Sequence, residues 1–481
     1  MKVSESYFID SEKIFEMMEN SRNTINKFAF PMLLVLLICG YVILLNISPI
    51  NADYGYYVGG AKAIAHGLVP YRDINLGYSP FVFYLLSIPY VIGGEGISLL
   101  IPMYVSLFFY LANGYLIWKI LQCFEIKQVI RQFALILYIV YNISVESIFL
   151  GLEPFASFWG MLGTYVLLKN KKYSYWLTGI CLTMAFLSKQ YALLYAPIYA
   201  TMIFLLKPEL KIEKRLILIL KIAFYSFSLV LLVHLFFVGL TGSWDYYTLL
   251  LGSNYGQQSF LGVIEVFKKK FFHFFFVVLL IPFVWWRIPK VGKCRIGFLL
   301  VAILLFMLQN YFEIYLHYLI FVVPYVVILF AVIIQYISYI WIKILICSIT
   351  LFSGIHFLIK AVEGYQITKK DSENHYVLTR NQQLDIVSFL KRIVPAASKT
   401  MLVLQENNKV TPYLYGVADI IPINYQNTRF GFETLDQLLS QIEDAEVLII
   451  EDSHPLCKDF IDKFGYSTRT YEYRGIHVLL K

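Results

Sequence analysis

The sequence predicts an α-helical polytopic membrane protein of about eleven transmembrane helices, followed by a small α/β domain. Three observations carry that prediction. Of the 481 residues, 59% are hydrophobic and only 15% charged, against about 25% charged in soluble domains. Long apolar runs recur from residue 28 to 361, separated by short polar loops. After Glu363 the apolar density falls, and short strand-like and helix-like stretches alternate.

The first 27 residues contain five acids and no signal-peptide pattern. They are expected to form an interfacial segment on the cytoplasmic side (domain 1–27), and the first apolar run to be a retained anchor. A helix needs about 17–25 apolar residues to cross the hydrocarbon core. By that measure the spans are 28–46, 97–118, 132–149, 155–168, 216–240, 271–286, 296–311, 317–337 and 341–361. Two stretches depart from the pattern. Residues 79–93 are too short to cross easily and contain an internal proline, and 174–206 is interrupted by Ser188-Lys189-Gln190.

Charge decides both. If 79–93 lies in the interface and 174–206 is a hairpin turning at Lys189, the loops 119–131, 169–172, 207–215, 287–295 and 335–343 share one side. They carry 15 Lys or Arg in 44 residues, while 47–96, 146–154, 188–191, 241–270 and 312–316 carry 6 in 98. Basic loops face the cytoplasm. The expected domains are therefore a membrane domain, 28–362, with a first outer loop, 47–96, and an extracytoplasmic α/β domain, 363–481. The protein is placed as multi-pass in the plasma or inner membrane, with its N-terminus cytoplasmic. Lys268-Lys269-Lys270 runs against the pattern, on the outer side. The formal charge of +8 belongs to these loops and predicts no nucleic-acid partner. None of the six cysteines has metal-ligand spacing.

Residues 363–481 read as a helix over 381–393, strands at 400–404 and 419–423, and a helix starting near Thr434 and Asp436. A strand at 446–450, a helix at 455–464 and strands at 468–473 and 476–480 follow. No glycine-rich phosphate loop interrupts them, and no internal repeat marks the membrane part as an inverted-repeat transporter.

The stretch 51–77, NADYGYYVGGAKAIAHGLVPYRDINLG, is the first polar segment after the first span. It opens with Asp53, continues as a short amphipathic helix carrying Tyr56, Tyr57 and Lys62, and closes with Pro70-Tyr71-Arg72-Asp73. The same outer face is expected to receive Glu146 and Glu153, Lys189-Gln190, and Tyr311, Glu313 and His317. Ionisable groups gathered at span edges from four separate stretches suggest a site. Each also has a plain structural reading. Asp53 suits a helix N-cap, and Glu153 before Pro154 an ordinary helix start. Lys189 suits a snorkelling lysine, His317 a satisfied buried imidazole, and Arg72-Asp73 a loop ion pair. The 38 tyrosines read mainly as interfacial belts.

As a set, the residues match sugar transfer from a lipid phosphate. That reaction needs a carboxylate to deprotonate the acceptor hydroxyl and cations to stabilise the departing phosphate. Asp53 would be the base, Lys189 and His317 the phosphate partners, and 79–93 one wall of a groove for the lipid chain. A transporter or flippase of a lipid-linked or polar substrate is the alternative, and it should carry ionisable residues near the midplane in matched halves. A membrane protein without chemistry would not need a 50-residue outer loop.

These residues resemble the GT-C superfamily of polyprenyl-phosphate-dependent membrane glycosyltransferases, including protein O-mannosyltransferases and aminoarabinose transferases. The resemblance rests on Asp53-Tyr54-Gly55-Tyr56-Tyr57, residues 61–67, Pro70-Tyr71-Arg72-Asp73 and the short segment 80–94. Glu153-Pro154, Lys189-Gln190, and His317-Tyr318 with Pro324 continue it. It implies a GT-C fold, Asp53 as catalytic base, Glu153 as a second acid near the acceptor or a metal, and Lys189 on the donor phosphate. Gln190, His317, Tyr57, Arg72 and Asp73 would complete substrate binding. The implied partners are an undecaprenyl-phosphate-type sugar donor, a lipid, polysaccharide or protein acceptor, and membrane lipids. The second outer loop lacks an Asp-x-Asp or Asp-x-Glu pair, so no cofactor is certain and a divalent metal is left open.

Overall fold

The computed structural model describes residues 30–48, 52–72, 78–94, 100–145, 148, 150–241, 277–312, 316–367, 380–395, 398–403, 421–422, 446–451, 469–473 and 476–480. The chain divides into two compact units, Met1–Asn46 and Ile47–Lys481. In the first, helix α1 (Phe30–Ile47) is apolar and long enough to span a membrane. Near its end, Asn46 donates its side-chain amide to Val42 O at 2.7 Å, so this polar group is satisfied within the helix.

The second unit begins with α2 (Ala52–Ala65) and α3 (Phe81–Gly93). Tyr57 packs on Phe83 at 5.8 Å, and Lys62 lies over Tyr90 at 5.5 Å. Advancing along one helix therefore advances along the other, and the pair runs parallel. The expected amphipathic character of α2 is corrected here. Residues 57–63 are all buried, because α3 covers one side and the edge of the C-terminal sheet another. With 13 residues, α3 is about 20 Å long at 1.5 Å per residue, short of a bilayer crossing.

The remaining helices are α4 (Ile101–Cys123), α5 (Gln128–Ser144), α6 (Glu153–Lys169), α7 (Ser174–Ser188), α8 (Tyr195–Leu206), α9 (Ile212–Thr241), α10 (Lys290–Phe312), α11 (Val323–Tyr336) and α12 (Ile340–Ile367). A shorter apolar helix, Val277–Arg287, precedes α10. Among the described residues, a helix lies at each of the eleven expected spans; five of these helices are long and apolar enough to cross a membrane, and the others are shorter. The expectation for the third span, 132–149, is shifted: the helix there, α5, starts at Gln128 and ends at Ser144. The spans sort by burial. Residues Val323 to Ile334 of α11 are all buried, making it the central helix. On α9 and α12, Phe224, Phe227, Leu232, Phe236, Trp341 and Phe352 are exposed, an apolar surface suited to lipid rather than water.

Contacts along α6 reveal the hairpin. At its Glu153 end it meets Lys189; one turn in, Tyr195 OH donates to Ser157 O at 3.4 Å; then Tyr199 OH donates to Gly160 O at 2.7 Å. At the other end, Lys207 donates to Asn170 Oδ1 and, at 2.9 Å, to Tyr175 OH. The chain thus climbs α7, turns at Lys189 and descends α8. The same end holds Arg295, which donates to Phe124 O at 2.7 Å, and Lys127, whose N–H donates to Gln335 Oε1 at 3.3 Å. Leu205 lies against Gly297 and joins the two groups. The five basic loops therefore share one end of the bundle, as the charge pattern predicted.

Two glycines make the α6–α8 contact possible. A Cβ at Gly160 would fall inside the Tyr195 ring, and one at Gly163 would collide with the Tyr199 hydroxyl. Gly160→Ala is expected to destabilise the protein by about 1–3 kcal/mol through overpacking. Gly239→Ala, where an added Cβ meets nothing within 4 Å, should be neutral. Thermal unfolding in detergent would compare them, and equal melting temperatures would refute the close approach.

The C-terminal part comprises α13 (Arg380–Ile393) and five strands: β1 (Lys399–Val403), β2 (Ile421–Pro422), β3 (Val447–Glu451), β4 (Arg469–Tyr473) and β5 (Ile476–Leu480). Their order is β2-β1-β3-β5-β4. β1 is parallel to β2 and β3, and β5 is antiparallel to β3 and β4. The helix buries Ile386, Val387, Phe389 and Leu390, with Phe389 stacked on Tyr473 at 5.0 Å. These strands follow the sequence expectation closely; the helices expected from Thr434 and over 455–464 lie outside the described residues. β2 lies against α2, so this domain rests on the helix that carries Asp53.

Candidate functional site

The end of the bundle opposite the basic loops gathers three of the charged residues singled out in the sequence, Glu153, Lys189 and His317. Pro154 suits the first turn of α6 and places Glu153 at its N-terminus. Lys189 is held in extended backbone, φ −154° and ψ 129°, between α7 and the 3-10 turn Gln190–Leu194. A second 3-10 turn, Leu316–Phe321, brings in His317 and Tyr318. Lys189 Nζ meets Glu153 Oε1 at 2.9 Å, and both side chains are 1% exposed. His317 Nε2 stands 3.9 Å from the same oxygen and is 23% exposed, so it links the buried pair to the surface.

This burial corrects two readings. Lys189 is not a snorkelling lysine at an interface, and Glu153 is more than a helix start. A buried pair loses several kcal/mol of hydration per ion and regains it only through close partners. Here the partners include aromatic faces. Tyr78, Tyr318 and Tyr191 surround the ammonium, with ring centres 4.6, 5.1 and 5.9 Å from Nζ. Each such contact contributes about 0.5–2 kcal/mol, more where water is excluded. Tyr191 packs on Tyr318 at 5.5 Å, and His317 edges Tyr318 at 4.7 Å.

Gly151 shapes the carboxylate. A Cβ there would lie 2.5 Å from Glu153 Oε2, so the acid folds back over a position without a side chain. Oε1 accepts the charge-assisted contact from the Lys189 ammonium at 2.9 Å and, as a carboxylate oxygen, keeps further lone-pair capacity. An entering polar group can use that oxygen.

The first outer loop reaches the site through tyrosines. Tyr57 of α2 packs on Tyr78 at 6.0 Å, and Tyr78 covers Lys189. Asp53 stands in the first turn of α2, one turn before Tyr57; its side chain lies outside the described residues. Tyr71 adopts φ 68°, unusual for a side chain with a Cβ, and its hydroxyl donates to Tyr78 O at 2.6 Å. The strained turn thereby fixes the tyrosine over the ammonium. Arg72 is exposed beside it. Gln190 is half-buried at the start of its 3-10 turn. Asp73, Glu146, Glu313 and 268–270 lie outside the described residues, as do the side chains of Tyr56 and Tyr311.

The structure thus brings Glu153, Lys189 and His317 into contact, with Tyr57 one ring away. Tyr78 and Tyr191 were missed among the supposed belt residues. The signal was local: Tyr191 is two positions from Lys189, and Tyr318 is next to His317.

Among the described residues no three His, Cys, Asp or Glu side chains stand together. Glu153, their buried acid, already faces an ammonium, and a metal on that carboxylate would meet like charge.

No protein-family model matches the sequence, and a search of curated proteins finds no relative. Solved structures do match. ArnT from Cupriavidus metallidurans bound to undecaprenyl phosphate superposes with a TM-score of 0.58 at 11% identity, covering 93% of this chain and 97% of that one. The same protein in the apo state gives 0.59 at 11% identity, covering 95% and 98%. The chain has an ArnT-like fold.

Proposed function

We propose that this polytopic membrane protein is a glycosyltransferase that moves a sugar from a polyprenyl-phosphate donor, of the undecaprenyl-phosphate type, to an acceptor hydroxyl on the outer face of the plasma or inner membrane. The carrying observation is the Lys189 ammonium, buried among Glu153, His317 and three tyrosines at one end of the bundle. A desolvated cation with a single carboxylate partner suits a phosphate, whose oxygens accept the N–H groups now facing aromatic rings. The match to ArnT over nearly the whole chain supports this reading, because that protein was crystallised with undecaprenyl phosphate.

In this mechanism the donor phosphate binds Lys189, with His317 and Gln190 beside it and Tyr57, Arg72 and Asp73 bordering from the first outer loop. Asp53 removes the proton from the acceptor hydroxyl as its oxygen bonds to the anomeric carbon. The bond from that carbon to the phosphate oxygen breaks, and its electron pair leaves with the polyprenyl phosphate. Lys189 stabilises the charge that develops there. Glu153 holds the ammonium in place before donor arrives and borders the acceptor side afterwards. The α/β domain, resting on α2, faces the same outer compartment.

The test is reconstitution of the full chain in liposomes with a panel of polyprenyl-phosphate sugars and extracted envelope acceptors. Release of free polyprenyl phosphate is the expected result. Movement of intact lipid-linked sugar across the bilayer without release would assign the flippase instead.

A further inference from the structure

Gln309, near the end of α10, is 4% exposed, and neither its amide nitrogen nor its amide oxygen has a hydrogen-bond partner. Among the described residues it is the one side chain whose donor and acceptor are both unmet in a single amide. Buried polar groups almost always find partners, since leaving one unmade costs its full desolvation. An amide with two unmet atoms on a helix that touches the turns around a cationic centre points to a ligand.

Its position follows from the packing one turn below. Phe306, three residues earlier on the same face, packs on Tyr195 at 5.0 Å and on Phe321 at 5.1 Å. The Tyr195 hydroxyl reaches Ser157 O, four residues inward from Glu153 on α6. Three residues of helical rise, about 4.5 Å, bring Gln309 back toward the level of the Glu153–Lys189 pair. Helix α10 also touches both 3-10 turns, the one carrying Tyr191 and the one carrying His317 and Tyr318. Ser157 Oγ, one turn inward of Glu153 on α6, is likewise unmet.

The geometry points to Gln309 as a residue that reads sugar hydroxyls of the donor bound at Lys189. This rests on the glycosyltransferase reading above and names the part of the substrate that reading leaves unassigned. A carboxamide offers a donor and an acceptor side by side. An ionised phosphate has only acceptor oxygens and would leave the amide oxygen facing negative charge. Adjacent sugar hydroxyls both donate and accept, and they satisfy both atoms together. Ser157 would accept or donate, and the Glu153 carboxylate would accept, along the remaining edge.

The test uses the full chain in nanodiscs and two probes: undecaprenyl phosphate without a sugar, and the undecaprenyl-phosphate sugar that binds wild type most tightly. Gln309→Met keeps the volume and removes both hydrogen-bonding atoms. It should weaken the sugar-bearing probe about tenfold, the factor that corresponds to one or two net hydrogen bonds. Affinity for undecaprenyl phosphate should change less than twofold, whereas Lys189→Met should weaken both probes. The melting temperature of ligand-free Gln309→Met should equal or exceed that of wild type, because a buried unmet amide is gone. Unchanged affinity for both probes would remove Gln309 while leaving the phosphate site standing. Equal weakening of both, or a lower melting temperature, would make Gln309 a structural or phosphate residue and overturn the assignment. Failure of wild type to bind either lipid would overturn the donor site itself, and this inference with it.

Discussion

Asp53→Asn is expected to lower kcat for sugar transfer by about 10²–10⁴-fold, the usual contribution of a general base. Asparagine keeps the size of the side chain and its place in the first turn of α2, but it cannot take the acceptor proton. Binding of the donor should not change, because the proposed phosphate partner is Lys189 on a different segment. The expected pattern is a fall in kcat with KM for the donor within a factor of two, the mark of an interaction made only in the transition state. Single-turnover release of polyprenyl phosphate, measured beside a donor-binding isotherm, separates the two. Turnover equal to wild type would take Asp53 out of the chemistry and return it to a helix-terminus role.

The second large effect concerns the buried pair. Glu153→Gln leaves the Lys189 ammonium without its counterion, and Lys189→Met leaves the Glu153 carboxylate without one. Both groups are 1% exposed, so each single change is expected to cost about 3–5 kcal/mol of stability. The double variant removes both charges and should recover most of that loss, because no uncompensated ion remains. Function should divide differently. Glu153→Gln retains the cation, and its affinity for undecaprenyl phosphate should stay the same or rise as the competing carboxylate goes. Lys189→Met and the double variant should lose that affinity despite the recovered stability of the latter. Thermal unfolding and lipid binding on the same samples give both readouts. Additive losses of stability would mean the two charges are not coupled, and retained lipid binding in Lys189→Met would remove the lysine from the phosphate site.

Much of the fold was legible in the sequence. The interruption at Ser188-Lys189-Gln190 predicted the turn that contacts along α6 reveal, and the short segment 79–93 predicted a helix too short to cross. The strands at 399–403, 447–451, 469–473 and 476–480 appear within a residue or two of their expected limits. Helix α2 was misread because its sequence shows polar and apolar positions without showing what covers them. Lys62 and Tyr57 are buried there by α3.

The candidate site was half legible. Glu153, Lys189 and His317 attracted attention because ionisable residues at the ends of apolar runs are few and their sides could be assigned. Tyr78, Tyr191 and Tyr318 form the walls of the centre, yet in a chain with 38 tyrosines residue type alone does not separate a cage from a belt. Gln309 had no signal at all. A lone glutamine near the end of an apolar run looks interfacial until its neighbours are known.

By itself the sequence determined the membrane class, the spans, the grouping of the basic loops at one end and the strand-rich C-terminal part. Those features depend on hydropathy, period and charge within short windows, and each window holds its own information. Only the tertiary structure decided that Lys189 and Glu153 are desolvated, that three rings enclose the ammonium and that Gln309 is buried with its amide unmet. Burial and partnership belong to segments far apart in the chain, here near residues 78, 153, 189 and 317, and they exist only once packing has brought those segments together.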